Sequence, residues 1–401
     1  MQKDEQSDDL GSPVSFKDTA IAFQHKSDRE LLLSYLIFGL TKSPFLVKFL
    51  SQAAKLTLAI GLPVKPFIKA TVFKKFCGGE KKEEYSKNIT KLGKTDVGTI
   101  LDYSVEGTKD ETGFEDTTEQ LLEIIEQSKS DPNSPCTCLK MTAIGSFDLF
   151  KKITANEPLS KKDRGELNKV RTRLGKICNA SYEAGKPIYI DAEETWIQGA
   201  IDWFAEEMMA KYNQKKAIVF TTLHLYRWDR NDYFKQLIQQ ARSGDYKLGI
   251  KIVRGAYLEK ERERARRLRY KSPINETKAA TDREYDKSVE IFIENIDQVE
   301  ICVGTHNEGS CRLLIELMAE KDLPNNHPHI YFSQLYGMSD NISFNLANAG
   351  YNVSKYLPFG PVESTLPYLA RRAEENTAIA GQMSKELEII VQERRRRKAV
   401  D

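Results

Sequence analysis

The sequence predicts a closed barrel of eight alternating strands and helices, a (βα)8 TIM-like α/β barrel, preceded by a helical N-terminal arm. From about residue 95 onward, short apolar runs alternate strictly with longer amphipathic ones, which is the pattern of a parallel sheet covered by helices. Eight such units are the number that closes a barrel. The main alternative is an open doubly wound sheet. It is disfavoured because no Gly-x-Gly-x-x-Gly follows the first run and no Gly-x-x-x-x-Gly-Lys-Ser/Thr occurs anywhere.

The predicted strands are short and bounded by turn or helix signals. They cover Val97 to Val105, Thr137 to Ala143, Ile188 to Ala192, Ala217 to His224, Lys247 to Val253, Val299 to Thr305, His329 to Leu335 and Asn352 to Leu357. The intervening segments have helical periodicity. They cover Thr117 to Ser128, Arg164 to Ala184, Trp196 to Tyr212, Asp232 to Ser243, Asp282 to Asn295, Gly309 to Glu320 and Asp340 to Ala349, with a charge-dense, solvated helix at Lys260 to Lys271. We therefore expect an arm over residues 1–95, a barrel over 96–378 and a C-terminal helix with a basic tail over 379–401.

Composition sets broad limits on function. The 401 residues carry 60 Lys and Arg against 58 Asp and Glu, a net charge of +2, so no nucleic-acid partner is expected from bulk charge. Six cysteines form neither a disulfide framework nor a zinc pattern, so we expect free thiols, with Cys136 and Cys138 buried on one face of a strand. The N-terminus contains Asp4, Glu5, Asp8 and Asp9, which is too acidic for a transit peptide, so no targeting peptide is visible.

The arm has a distinctive charge pattern. Residues 31–79 contain seven lysines and no acidic residue, set among apolar side chains. Between Pro44 and Ile60, the polar residues Lys48, Gln52 and Lys55 form a narrow stripe beside a wide apolar face. Such a segment can lie on an anionic membrane surface, and the alternative is an arm packed against the barrel.

Polar side chains end almost every predicted strand. Because barrel enzymes place their chemistry at the carboxyl ends of strands, these residues are candidate site residues. Strands two to eight offer Lys140, Asp191, His224, Lys251 with Arg254, Thr305 to Asn307, Gln334 with Tyr336, and Tyr356. Each has a plain structural alternative, such as Asp191 capping the next helix. The cations among them favour an anionic, phosphate-bearing cofactor, and Gly255 permits close backbone approach. We expect no metal, because His224, His306 and Asp191 lie on different strands without a ligand-pair motif.

The segment after the eighth strand predicts a helix with an unusual polar face. Ser364 or Thr365 can cap this helix, and Pro367 is tolerated in its first turn. Its polar face carries Tyr368, Arg371, Arg372 and Glu375, at positions i, i+3, i+4 and i+7. Two adjacent arginines suit a carboxylate or a phosphate, whereas the alternative is a solvated charged face.

These residues resemble those of proline dehydrogenases, over about residues 95 to 378. The matching motifs are Lys140, Asp191-Ala-Glu-Glu194, Val253-Arg-Gly-Ala-Tyr257, Thr305-His-Asn307, Tyr356-Leu-Pro-Phe-Gly360 and Tyr368-Leu-Ala-Arg-Arg372 with Glu375-Asn376. The Tyr-x-x-Arg-Arg-x-x-Glu-Asn pattern is the most specific. The spelling around Lys251 is similar to the eukaryotic branch, of fungal type, whereas bacterial members carry Arg there and many members carry Gln in place of His224.

The resemblance implies an FAD enzyme that oxidises L-proline to Δ1-pyrroline-5-carboxylate, by hydride transfer to flavin N5, and passes electrons to ubiquinone or a similar membrane quinone. It implies that Arg371 and Arg372 clamp the proline carboxylate. The ring would be walled by Tyr257, Tyr356 and Tyr368, with Lys140 and Asp191 on the polar side. The flavin would be contacted by His224, Lys251, Arg254, Gly255, Ala256, Thr305, His306, Asn307, Gln334 and Glu375. The proton of the substrate amine could pass to Asp191, to Lys140 or to water.

The same resemblance implies peripheral attachment to the matrix side of the inner mitochondrial membrane. Two alternatives remain at this stage. One is a related flavoenzyme acting on 4-hydroxyproline, which Tyr356 disfavours because its hydroxyl would crowd C4 of the ring. The other is a non-catalytic scaffold at a membrane surface, built on residues 42–75 and the basic tail at 394–398.

Overall fold

The computed structural model describes residues 14–40, 65–104, 110–131, 133, 136–369 and 382–400. Its eight strands form one closed parallel barrel in chain order, so the predicted fold is confirmed. The strands are β1 (Val97–Tyr103), β2 (Cys136–Lys140), β3 (Ile188–Asp191), β4 (Val219–His224), β5 (Leu248–Val253), β6 (Val299–Gly304), β7 (Ile330–Leu335) and β8 (Val353–Phe359). Because apolar runs were bounded by turn signals, the strand ends could be predicted to within two residues, except that β2 ends three residues before its predicted end, where the 3-10 helix Met141–Ala143 begins.

Every predicted helix between the strands is present, but the helix Phe147–Thr154 was not predicted and the helix Glu111–Ser128 begins six residues earlier than predicted. The helices between the strands are Glu111–Ser128, Phe147–Thr154, Lys161–Ala184, Thr195–Tyr212, Arg230–Ser243, Leu258–Leu268, Lys278–Glu294, Glu308–Glu320 and Asp340–Asn348. Before the barrel lie the helices Thr19–Phe23, Asp28–Leu40 and Lys82–Gly93, with a shorter helical run over residues 65–76. After β8, residues 362–369 are helical, and a further helix spans Gln382–Val400.

Several element ends differ from the prediction, and four of them bear on predicted strand ends, caps or helix ends. β1 ends at Tyr103 rather than residue 105, and β8 continues to Phe359, so that Tyr356 lies inside the strand and does not close it. The helix after β8 begins at Val362, so neither Ser364 nor Thr365 caps it. The charge-dense helix ends at Leu268, because Arg269 adopts a left-handed conformation with φ 55°.

Side chains from β2 to β5 fill the interior of the barrel. The ring of Tyr189 packs against that of Phe220 at 4.8 Å between centroids, and the ammonium of Lys251 lies 5.5 Å from the Tyr189 ring. The strand register places Lys140 opposite Asp191 and Thr222 opposite Lys251. This register brings charged groups side by side at the carboxyl ends of the strands.

The chain divides into two compact units. One contains residues 99–103 and 107–333, and the other contains residues 1–98, 104–106 and 334–401. Within the second unit, Arg397 donates hydrogen bonds to the carbonyl oxygens of Phe23 and Lys26 and to the carboxylate of Asp28. These hydrogen bonds join the C-terminal helix to the segment between the first two N-terminal helices. The predicted division at residues 95 and 378 stays a prediction.

All six cysteines are free, as predicted, and all six are buried, including Cys136 and Cys138, the two that were predicted to be core residues. Burial raises the pKa of the Cys138 thiol well above its usual range, so this thiol is un-ionised at neutral pH. No helix among the described residues is long and apolar enough to span a membrane. The amphipathic segment predicted between Pro44 and Ile60 lies outside the described residues, while Lys75, one of the seven arm lysines, is buried.

Candidate active site

Asp191 lies between two lysines at the carboxyl ends of β2, β3 and β5. Its Oδ2 accepts a hydrogen bond from Lys140 Nζ at 3.2 Å, and its Oδ1 accepts one from Lys251 Nζ. The side chains of Lys140, Asp191 and Lys251 are 21%, 12% and 6% exposed. Asp191 does not cap the next helix, which begins after Glu194. The structure therefore joins three of the predicted residues in one ionic cluster.

Asp102 adds a second carboxylate, which the sequence analysis missed. It is buried near the end of β1, opposite Cys138 in the strand register. Burial alone would lower the pKa of Lys140, but the charges of Asp102 and Asp191 outweigh it and raise that pKa well above its usual range. The predicted first strand ended at residue 105, so Asp102 was not recognised as a residue near the strand end.

Lys251 is also held in its charged form. Burial opposes the charge, but Asp191, by its charge and by its hydrogen bond, raises the pKa of Lys251. The two lysines are therefore both protonated at neutral pH, and neither is free to accept a proton.

His224 is a neutral group in this cluster. Burial, followed by the charge of Arg227, lowers the pKa of His224 to about 3. Its ring stacks on Tyr226 at 5.1 Å between centroids, and a 3.3 Å hydrogen bond joins the Tyr226 hydroxyl to His224 Nδ1. The ring of Tyr257 lies 5.9 Å away. His224 can therefore offer a neutral hydrogen bond but not a positive charge.

Gly255 leaves room for the Tyr226 ring. A Cβ at this position would lie 1.4 Å from Tyr226 Cδ1, and the backbone has φ +139°. A side chain at residue 255 would consequently displace Tyr226 and, through it, His224. The structure thus gives Gly255 a role in packing. Its predicted role, close approach of the backbone to a cofactor, stays a prediction.

Arg254 is held by hydrogen bonds to three side chains of the described residues, which leave two of its five N–H donors for another acceptor. Its guanidinium donates to Asp282 at 2.7 Å, to Thr305 Oγ1 at 2.6 Å and to Ser310 Oγ at 2.9 Å. It also lies 4.3 Å from the ring of Tyr285. This arginine is rigidly placed, with one face packed on an aromatic ring.

The Thr-His-Asn segment after β6 is built around two local hydrogen bonds. The backbone N–H of Asn307 donates to Thr305 Oγ1 at 3.1 Å, and the Asn307 side chain accepts from Gly309 N at 2.8 Å as the cap of the next helix. His306 and Ala256 are both partly exposed. Thr305 and Asn307 thus have structural roles as well as their predicted cofactor role.

Glu193 fixes the turn that follows Lys140. Its carboxylate accepts hydrogen bonds from Thr142 N at 3.1 Å and from Thr142 Oγ1 at 2.5 Å. Burial raises the pKa of Glu193 to about 7, even though the hydrogen bonds from Thr142 oppose the rise. The motif Asp191-Ala-Glu-Glu194 contained this signal, but sequence reasoning selected only its first residue.

Three further predicted residues lie in the second compact unit. Gln334 is buried, and its Oε1 accepts a hydrogen bond from Ser343 Oγ at 2.7 Å. Tyr356 is 9% exposed, and its carbonyl oxygen accepts from Tyr336 N at 2.9 Å. Tyr368 is 4% exposed. The predicted residues Arg371, Arg372 and Glu375 lie outside the described residues.

A buried hydroxyl in the barrel fits a polar ligand. Thr222 Oγ1 has no hydrogen-bond partner among the described residues, and Thr222 lies opposite Lys251 in the strand register. A buried hydroxyl without a partner loses its hydrogen bonds to water, which costs about 1–3 kcal/mol. An acceptor or donor from a bound group beside Lys251 would remove this cost.

The fold and the cluster together define a class of protein. A closed (βα)8 barrel carries buried lysines, carboxylates and a neutral histidine at the carboxyl ends of β1 to β5. This is the end of the barrel at which enzymes of the fold bind substrates. The protein belongs to the barrel enzymes, and its site suits a polar ligand.

Comparison with known proteins identifies the family. The family model described as proline dehydrogenase matches residues 85–385. Mitochondrial proline dehydrogenase 1 of Dictyostelium discoideum is 32% identical, over 95% of this chain and 74% of that protein. Hydroxyproline dehydrogenase of Xenopus laevis is 28% identical, over 96% of this chain and 90% of that protein. The chain belongs to the proline dehydrogenase family and is an oxidoreductase.

Solved structures show the same fold. Proline utilization A from Bdellovibrio bacteriovorus superposes with a TM-score of 0.71 at 18% identity, over 96% of this chain. This chain spans 42% of that protein, and at 18% identity the likeness shows the fold alone.

Proposed function

We propose that this protein is an FAD-dependent enzyme that oxidises L-proline to Δ1-pyrroline-5-carboxylate and passes the electrons to a membrane quinone. The family match over residues 85–385 carries the proposal. In the reaction, C5 of proline loses a hydride and the ring nitrogen loses a proton, which leaves a carbon–nitrogen double bond. Bound FAD would supply the hydride acceptor, N5.

The described residues fit such a cofactor. Lys251 and Arg254 supply positive charge for an anionic group, and Thr222 supplies a buried hydroxyl without a partner among the described residues. His224 offers a neutral hydrogen-bonding group, as an amide would at the same position. We propose that these residues, with Gly255, Ala256, Thr305, His306, Asn307, Gln334 and Glu375, hold the cofactor.

The charge states narrow the choice of proton acceptor. Because the carboxylates of Asp102 and Asp191 keep Lys140 protonated, Lys140 would not accept the proton of the substrate amine. Asp191 and water remain as candidates. Lys140 would instead contribute positive charge and orient Asp191.

We propose that Arg371 and Arg372 bind the proline carboxylate, beside walls formed by Tyr257, Tyr356 and Tyr368. Replacing either arginine with Ala would remove a charged hydrogen-bonding partner worth about 1.5–3 kcal/mol, which raises KM for proline by roughly 10- to 150-fold. Steady-state kinetics with an artificial dye acceptor measures this effect. Arg242→Ala is the matched control, because both contacts of its side chain among the described residues are exposed, with Asn295 at 3.0 Å and with Asp297 at 3.4 Å. An unchanged KM in both site variants would refute the clamp.

Hydroxyproline is the second candidate substrate, because a relative that covers nearly the whole chain is a hydroxyproline dehydrogenase. We propose that proline is preferred, since the buried Tyr356 would crowd a 4-hydroxyl group. Measuring kcat/KM for both imino acids decides between them. Equal values would contradict the role given to Tyr356, and Tyr356→Ser should then leave the ratio unchanged.

We propose a mitochondrial, peripheral membrane location, in keeping with relatives whose names are mitochondrial. Residues 14–40 contribute buried side chains such as Phe16 and Phe38, so deleting the arm would disturb packing. Replacing Lys42, Lys48 and Lys55 with Gln is a gentler test. The arm role predicts slower quinone reduction with unchanged dye reduction, and unaffected quinone reduction would leave the arm with a structural role only.

A further inference from the structure

One exposed surface of the barrel combines cations with large apolar side chains. It comprises Trp228, Arg266, Arg267, Leu268, Arg269, Tyr270 and Lys271, and we call it the Trp228 surface. Residues 266–271 are all exposed, and Trp228, Leu268 and Tyr270 are 50%, 51% and 40% exposed. Six consecutive exposed residues, two of them large and apolar, are unusual beside an otherwise buried core.

The Trp228 surface is held in place by hydrogen bonds. Trp228 donates through its backbone N–H to Pro273 O at 3.2 Å and through Nε1 to Ser272 O at 3.1 Å. An antiparallel bridge pairs Arg227 with Ile274 next to it. Tyr270 N donates to Ala265 O at 3.2 Å, closing the end of the helix Leu258–Leu268. The apolar side chains therefore protrude from a fixed backbone.

The cations of the Trp228 surface are not neutralised by neighbouring carboxylates. Residues 264–271 contain five cations and no acidic residue. Among the described residues, no ion pair engages Arg266, Arg267, Arg269 or Lys271. Glu263 lies one helical turn before Arg266 and Arg267, with no ion pair to either among the described residues, and Glu259 lies a further turn away. Glu261 turns inward and accepts hydrogen bonds from Thr195. By contrast, Arg230 is paired with the buried carboxylate of Asp202 at 2.8 Å. This surface is built for an external anion.

We propose that the Trp228 surface docks on the headgroup layer of an anionic phospholipid bilayer. Positive side chains are attracted to anionic lipids, while Trp, Tyr and Leu favour the boundary between headgroups and acyl chains. Nucleic acid fits less well. Lys271 lies 4.6 Å over the Trp228 ring, which covers one face that a base would stack on, and Leu268 gains nothing from phosphate. The inference deepens the proposed membrane partner and does not depend on proline chemistry.

Vesicle co-sedimentation of the full chain tests the proposal. The vesicles contain phosphatidylcholine with phosphatidylserine, or phosphatidylcholine alone. Replacing Arg266, Arg267, Arg269 and Lys271 together with Gln should lower partitioning onto the anionic vesicles by about 100-fold, and high salt should have the same effect on the wild type. Replacing Trp228 and Leu268 with Ser should lower partitioning about tenfold on either vesicle.

A matched control separates this surface from bulk charge. The exposed lysines Lys161, Lys162, Lys176 and Lys215, changed together to Gln, remove the same charge and should leave partitioning within about twofold of wild type. Proline-dependent dye reduction without vesicles, measured for every variant, should stay at the wild-type level.

Three results would overturn the proposal. The first is an equal loss of vesicle partitioning in the surface and control variants. The second is a loss of partitioning only when the arm lysines Lys42, Lys48 and Lys55 are replaced. The third is binding to a short RNA duplex without partitioning onto vesicles. If dye reduction is absent in the wild type while vesicle binding depends on the Trp228 surface, the docking proposal stands and the proposed chemistry fails.

Discussion

Asp191→Asn should be strongly destabilising, because it removes the anion that both buried lysines contact. Asn keeps the size of the side chain and loses its charge. Lys140 retains its attraction to Asp102, whereas the ammonium of Lys251, 6% exposed, loses the carboxylate that it directly contacts. The penalty should therefore arise mainly at Lys251.

The size of the effect follows from the geometry. Lys140 Nζ lies 3.2 Å from Asp191 Oδ2. At this distance and an effective dielectric constant of about 20, the attraction within one ion pair is roughly 5 kcal/mol before the cost of desolvation. Breaking a buried pair by removing one partner costs about 3–5 kcal/mol. The double variant Asp191→Asn with Lys251→Met removes the stranded charge and should recover about half or more of that loss.

Urea unfolding followed by circular dichroism measures these free energies of unfolding. Asp297→Asn is the control, because its carboxylate is 72% exposed and should cost about 0–1 kcal/mol. The raised pKa of Lys251 stabilises the folded protein. This stabilisation is fully present below the unfolded pKa of about 10.4 and is lost as the pH rises through the higher pKa of the folded state. The loss in Asp191→Asn should therefore be constant from about pH 6 to 9. A loss below 1 kcal/mol, or no recovery in the double variant, would refute the reasoning.

Three further variants test individual contacts. Glu193 has a folded pKa of about 7, above its unfolded value, so wild-type stability should fall as pH rises through about 4.5 to 7. Glu193→Gln should abolish roughly 3 kcal/mol of that fall, and parallel pH profiles of unfolding would contradict this. Gly255→Ala should lower the free energy of unfolding by about 2 kcal/mol or more. Gly165→Ala, at a helix position with open space around it, should raise it by about 0.5–1 kcal/mol. Equal melting points for the two variants would contradict the packing role of Gly255. Thr222→Val should stabilise the flavin-free protein by about 1–3 kcal/mol and weaken FAD binding in a fluorescence titration, and unchanged FAD affinity would separate Thr222 from the cofactor.

The barrel was predictable because its strands differ from its helices in length and period. Parallel strands buried on both faces give short continuous apolar runs, such as Val219–His224, and their helices give a 3.6-residue period. Element ends were less certain. The extension of the first predicted strand by two residues hid Asp102, and β8 proved longer than its apolar run.

The pairing within the site was not predictable from sequence. Lys140 and Lys251 lie 51 and 60 residues from Asp191, and only the strand register brings them together. The same is true of Gly255, whose neighbour Tyr226 is 29 residues away and gives the glycine its packing role. Strand-end position could identify candidate residues, but their charge states depend on burial and on neighbours from other strands.

The absorption spectrum of the purified protein, recorded with and without L-proline in the absence of oxygen, tests the proposed function most directly. If the protein is an FAD-dependent proline dehydrogenase, it is yellow, and its flavin absorbance decreases when proline is added. The decrease with 4-hydroxyproline should be smaller or slower. A colourless protein that takes up no FAD, or a flavin spectrum that proline leaves unchanged, would contradict it.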